Sequence, residues 1–127
     1  MSTVAAARYL GTTGRHLAEV SRSDRLRAVL DPRALFPRHG ALSLFDNKIV
    51  LSGWERNASV TVHAREIAWV GISPPVAGLR RAEVRPIALH YQNGETLYLM
   101  INQRWLPSRD DNAEWAVLLT SWLEEFR

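Results

Sequence analysis

The sequence lacks the residues and segments on which several classes of protein depend. It has no cysteine, which excludes disulfides and thiol catalysis. No apolar run approaches the roughly 20 residues of a transmembrane helix. The first ten residues have neither the charged leader nor the apolar core of a secretory signal, which predicts a cytoplasmic protein.

Motifs for catalysis, metal binding and phosphate binding are also missing. No pair of histidines or acids has the spacing of metal ligands. No serine lies in the context of a nucleophile elbow, and no glycine-rich loop opens a helix. We therefore predict no catalytic residue, no metal site and no cofactor.

Lysine is scarce, because Lys48 is the only one among 16 basic residues. The formal net charge is +3, which permits an acidic partner without requiring one. The length of 127 residues suits one core, and 46% hydrophobic with 23% charged residues is an ordinary globular composition.

The clearest structural pattern is a hairpin in residues 40–54. A two-residue turn at Asp46-Asn47 would place Leu44 opposite Ile49. One face of this hairpin would be apolar and the other mostly polar, which is typical of an antiparallel sheet that covers a core. The residues predicted to face the core are Leu42, Leu44, Ile49 and Leu51.

A third and a fourth strand follow this hairpin. Val60 and Val62 alternate with polar residues and predict the third strand. Ala64-Arg65 leaves room only for a turn or kink before the fourth strand, in residues 67–72.

A second hairpin is predicted in residues 87–101. Asn93-Gly94 is the strongest short turn signal in the sequence. A two-residue turn there would place Leu89 opposite Tyr98.

The last segment predicts an amphipathic helix. Asp111 and Glu114 have the spacing of a capping box. The apolar residues recur every three or four positions, so this face must pack on the sheet or on a partner. They are Trp115, Leu118, Leu119, Trp122, Leu123 and Phe126.

Residues 1–39 predict a helical extension packed on or beside a domain of residues 40–127. Val4 to Leu10 favour a short helix. A second helical stretch begins at Arg15, has Ser23 as a candidate N-cap, and ends before Pro32.

The predicted fold class is therefore α+β and mainly β. It is an antiparallel meander that forms a bent sheet or partly open barrel, closed by a C-terminal amphipathic helix. This order resembles the bacterial-type pleckstrin-homology-like domain over about residues 40–126. The resemblance rests on GALSLFDNKIVL (residues 40–51), VTVHAREIAWV (residues 60–70) and the final helix with Trp115 and Trp122. That family has seven strands, so a further strand would lie in residues 80–84 or before Gly40.

The best-known activity of that family is phosphoinositide binding through basic residues of the first hairpin. Here Lys48 is the only cation at that turn, so phosphoinositide binding is not expected. The resemblance instead implies an interaction module that binds a protein or peptide.

Two other functions remain open at this point. The first is a small-ligand-binding α+β barrel, or an enzyme that uses His63, His90 or a buried carboxylate. The second is a phosphate-rich partner such as nucleic acid or anionic lipid, which would need arginines interleaved with exposed aromatics. Association with a second copy of the chain is also possible.

Strand parity predicts where a partner would bind. In an up-and-down meander, successive turns alternate between the two ends of the sheet. Residues 55–58, 74–85 and 104–109 would then share one end, which has a basic rim suited to an acidic protein or peptide. The candidate partner-binding residues are Trp54, Arg56, Arg80, Arg81, Arg85, Arg104 and Trp105.

Overall fold

A seven-stranded antiparallel sheet, curled into a half-barrel with a C-terminal helix, forms the fold. The computed structural model describes residues 3–19, 35–74, 85–105 and 108–126, with only the backbone of Trp105 and Ser108. The strands are β1 Ala5–Thr13, β2 Arg38–Leu44, β3 Lys48–Glu55, β4 Ala58–His63, β5 Ile67–Ile72, β6 Ile87–Tyr91, β7 Thr96–Ile101, β8 Arg104–Trp105 and β9 Ser108–Arg109. The helices are α1 Gly14–Glu19, a 3-10 helix Ala64–Glu66, and α2 Asn112–Phe126.

Strand β1 is the seventh strand of the sheet, and it lies before Gly40. The order of the sheet is β4-β3-β2-β1-β7-β6-β5, so β1 lies between β2 and β7 and is antiparallel to both. The helix predicted for Val4 to Leu10 is therefore wrong. Three consecutive alanines favour a helix locally, but pairing on both sides overrides that preference. The sheet thus begins earlier in the chain than the predicted boundary at Gly40.

The predicted helical stretch from Arg15 is only partly described. Gly14–Glu19 forms α1. Ser23, Pro32 and the alternative strand of residues 80–84 lie outside the described residues.

The register predicted for the first hairpin is confirmed. Leu44 pairs with Ile49, and Leu42 pairs with Leu51. All four of these side chains are fully buried in the core. Alternation of apolar and polar residues was enough to predict this register, because a shift of one residue would have placed these apolar side chains on the solvent face.

The register predicted for the second hairpin is wrong by one residue. Leu89 pairs with Leu97, not with Tyr98. The main-chain N–H of Tyr91 donates to Glu95, and Gly94 adopts a φ of 92°. The turn therefore has three residues and ends in a left-handed glycine, a common alternative to the two-residue turn.

The connection between β4 and β5 explains how the sheet curls. The 3-10 helix Ala64–Glu66 takes the chain from β4, at one edge of the sheet, to β5 at the other. Neighbouring strands in the sheet order are all antiparallel, so strand direction alternates across the sheet. The two edge strands, β4 and β5, therefore run in the same direction. An up-and-down meander would have made them opposite.

Helix α2 packs its apolar side against the sheet. Trp115, Leu119, Trp122 and Leu123 are buried as predicted, whereas Phe126 is 42% exposed in the last turn. None of the helices in the described part of the chain has the length and apolar character needed to span a bilayer.

The predicted capping box at Asp111 does not form. The Asp111 carboxylate accepts instead from the Asn102 side-chain amide at 2.7 Å. The Asp110 carboxylate accepts from the Asn112 main-chain N–H at 2.9 Å, which satisfies a free donor at the start of α2.

Candidate functional site

The described members of the predicted partner-binding rim lie at two ends of the sheet. Gly11 is opposite both Arg38 and Leu99, so β2 and β7 begin at the end where β1 finishes. The β3–β4 turn with Arg56 therefore lies at the same end as the β6–β7 turn. Arg85 precedes β6 and lies at the other end, and the predicted grouping of the turns is wrong because it assumed strict alternation.

Trp54 is a core residue and not an exposed anchor. Only 6% of its surface is exposed. Its ring stacks on Tyr9 with 6.0 Å between the ring centroids. The Arg38 guanidinium donates to its main-chain oxygen at 3.0 Å. The side chain of Trp105 and all of Arg80 and Arg81 lie outside the described residues.

Four exposed arginines do come together around the end of β7, and we call them the arginine surface. Its members are Arg8, Arg85, Arg104 and Arg109.

Main-chain contacts hold these four residues in place. Arg8 exchanges two hydrogen bonds of 2.9 Å with Asn102, just after β7. The Asn112 side chain accepts a hydrogen bond from the Ile101 N–H and donates one to the Arg85 carbonyl. These two bonds place Arg85 next to the end of β7. Arg104 and Arg109 pair in the small β8–β9 ribbon.

The nearby acids are occupied in main-chain and amide contacts. Asp110 accepts from Asn112, and Asp111 accepts from Asn102. Within the described residues no carboxylate lies within ion-pair distance of an arginine of this surface. Among these six side chains, the four arginines outnumber the two aspartates, so the arginine surface itself is basic.

Two exposed apolar side chains lie on opposite faces of β5, which is an edge of the described sheet: Ile72 at the end of the strand, and Trp69 three residues earlier. Ile72 is 42% exposed, and the next residue donates its N–H to Pro86, the neighbour of Arg85. Trp69 is 54% exposed and stacks face to face on His90 at 3.7 Å.

The geometry at His90 is that of a packed residue. Its Nδ1 lies 3.2 Å from the Thr96 hydroxyl, and burial lowers the pKa of its imidazole. His63 ends β4, while His90 is on β6 next to the other edge of the sheet order.

The buried carboxylate that an acid–base site would need is not found in the described residues. The buried polar side chains there are Thr12, Ser73 and Asn112. No three His, Asp or Glu side chains of the described chain gather as metal ligands.

Sequence reasoning placed Arg109 at the basic rim but missed Arg8 and the exposure of Trp69 and Ile72. Arg8 was assigned to a helix outside the sheet, so its proximity to β7 could not be predicted. Trp69 was assigned correctly to a strand, but nothing local indicated that this strand is an edge.

Comparisons with protein families, with characterised proteins and with solved structures find no significant match to this chain.

Proposed function

We propose that the protein is a non-enzymatic interaction module that binds an acidic polypeptide segment at the arginine surface. The observation that carries this proposal is that the main chains of four exposed arginines lie together around the end of β7, while Asp110 and Asp111 bond to amides. Guanidinium groups bind carboxylates through two parallel hydrogen bonds, so they favour aspartate and glutamate side chains.

Ile72 at the end of β5 adds an exposed apolar side chain beside this surface. The residue after it donates its N–H to the carbonyl of Pro86, the neighbour of Arg85. Arginine is among the residues most enriched at the energetic centres of interfaces. The preferred partner therefore combines acidic residues with an apolar one.

A pleckstrin-homology-like relationship is part of the same proposal. It rests on the order of the antiparallel strands and the single helix that follows them. The first hairpin again offers little to a phosphoinositide, because the Lys48 ammonium lies 5.4 Å from the Phe45 ring centroid and is the only cation of that turn. The acidic polypeptide remains the better candidate.

The test uses a random copolymer of glutamate and tyrosine as the probe, titrated against the full chain at several salt concentrations. The variant Arg85→Glu/Arg104→Glu should bind at least about tenfold more weakly at low salt, with a shallower salt dependence. The matched control Arg15→Glu/Arg56→Glu makes the same change of charge at exposed positions of the opposite end of the sheet and should lose less than about threefold.

Three outcomes would contradict the proposal. Equal losses in the two double variants would mean that only net charge matters. Tighter binding of duplex DNA than of the copolymer would favour the phosphate-rich alternative. Unchanged binding by Ile72→Ala would show that the partner makes no apolar contact at the end of β5.

A further inference from the structure

We infer that the opposite end of the half-barrel holds a binding site for a small, uncharged and mainly apolar molecule. A cavity of about 480 Å³ opens there, where β1 ends and β7 begins. This volume lies within the range of about 300–1,000 Å³ that is usual for small-molecule sites. The cavity involves β1, β3, β4, β6 and β7, so the curled sheet itself forms its walls.

The apolar part of the cavity is formed by Trp54, Val60, Tyr91 and Leu97. Trp54 is held rigidly in this wall. A Cβ atom on Gly11 would lie 2.5 Å from its ring, and Tyr9 stacks against it. The indole is therefore held in place by packing, and the wall that it forms is fixed.

The charges of the cavity favour a neutral ligand. Arg15 and Glu95 are the charged residues that line it, and their charges are opposite. An ion of either sign would meet one like charge and one opposite charge. A neutral molecule meets no such conflict and gains from the apolar wall.

Tyr91 supplies a hydrogen-bond donor for this ligand. Its hydroxyl has no hydrogen-bond partner among the described residues. Burial, with Glu66 and then Glu95, raises its pKa to about 12, so the phenol keeps its proton at neutral pH. A ligand with one carbonyl or hydroxyl oxygen would accept from it, as is typical of mainly apolar sites with few polar groups.

The experiment titrates the full chain with prodan, a neutral naphthalene dye that has one ketone, and reads the emission of the dye. Wild-type protein should give saturable binding with a blue shift. Val60→Trp fills the cavity and should weaken binding at least about tenfold. Thr61→Trp is the matched control, because the same side chain then lies on the exposed face of β4. It should change affinity less than about twofold.

Tyr91→Phe tests the donor without changing the shape of the cavity. Loss of one neutral hydrogen bond should weaken prodan binding about fivefold. If Val60→Trp does not fold, Tyr91→Phe alone tests whether prodan binds in the cavity.

The inference is overturned if prodan does not saturate, if the two tryptophan variants bind it equally, or if Tyr91→Phe binds it as wild type does. Binding at the exposed Trp69 would give the second of these results. None of these results bears on the arginine surface, which lies at the other end of the sheet.

Discussion

Trp122 on α2 donates its indole N–H to the main-chain oxygen of Phe45, with 2.7 Å between the two atoms. Phe45 lies at the turn between β2 and β3, 77 residues earlier in the chain. Trp122 is only 7% exposed, so this bond is shielded from water and joins the end of the helix to the first hairpin. Helix α2 is therefore held by both apolar burial and one directional contact.

Two substitutions should separate these contributions. Trp122→Ala removes the buried ring and should lower the free energy of unfolding by about 3–5 kcal/mol. Trp122→Phe keeps most of the ring but leaves the Phe45 carbonyl without its donor, which should cost about 1–3 kcal/mol. Urea unfolding measures both.

Val117→Ala is the control for this pair, because Val117 is 68% exposed on the same helix. It should change stability by less than about 0.5 kcal/mol. Equal effects of the alanine substitutions at Trp122 and Val117 would show that α2 is not docked through Trp122.

The close approach of Gly11 to Trp54 leads to a second prediction. A Cβ on Gly11 would lie 2.5 Å from the indole and 3.1 Å from Leu99, so Gly11→Ala should cost about 1–3 kcal/mol through overpacking. Gly14→Ala is the matched control, since the nearest atom would be at 3.6 Å. Urea unfolding again supplies the free energies.

A double variant identifies the atom responsible. In the background of Trp54→Leu, the additional change Gly11→Ala should cost clearly less than in wild type. The same cost in both backgrounds would mean that Leu99 or the backbone, not the indole, resists the added methyl group.

The parts of the fold that the sequence predicted correctly are those fixed by local alternation. The first hairpin is an example, because Leu42 and Leu44 can face the core in only one register. β1 was missed since its alanines carry no strand signal, and its partners lie about 30 and 90 residues away in the chain.

The candidate site could not be fully predicted, because it depends on strand directions and on the pairing of β1 with β7. Arg85 and Arg104 were identified, and they do lie at one end of the sheet. Arg56 was grouped with them because the same-sense arrangement of β4 and β5 cannot be deduced from strand order. Proximity of Arg8 to this end follows only from the pairing of β1 with β7.

A third prediction concerns the turn that shifted the second hairpin. Gly94 has a φ of 92°, and no atom would lie within 4 Å of an added Cβ. Gly94→Ala should therefore cost about 1–2 kcal/mol through backbone strain alone. Gly94→Asn should cost less, because asparagine tolerates this region better. Equal losses for alanine and asparagine in urea unfolding would contradict this explanation.

The last prediction concerns stability at high pH. Burial raises the pKa of Tyr9 and of Tyr91 to about 12, above the value of 10 that each phenol has in the unfolded chain. The folded state therefore favours the protonated phenols. Their stabilising contribution is complete below about pH 10 and is lost as the pH rises from there through about 12.

Tyr91→Phe cannot ionise, so its melting temperature should fall less steeply than that of wild type between about pH 10 and 12. The negative charges of Glu66 and Glu95 raise the pKa of Tyr91 in addition to burial. High salt screens these charges, so it should weaken the difference between the two melting curves without removing it. The comparison is made against the same two proteins near pH 8, where both phenols are protonated. Parallel melting curves across the whole range would mean that the Tyr91 hydroxyl ionises equally easily in the folded and unfolded chain.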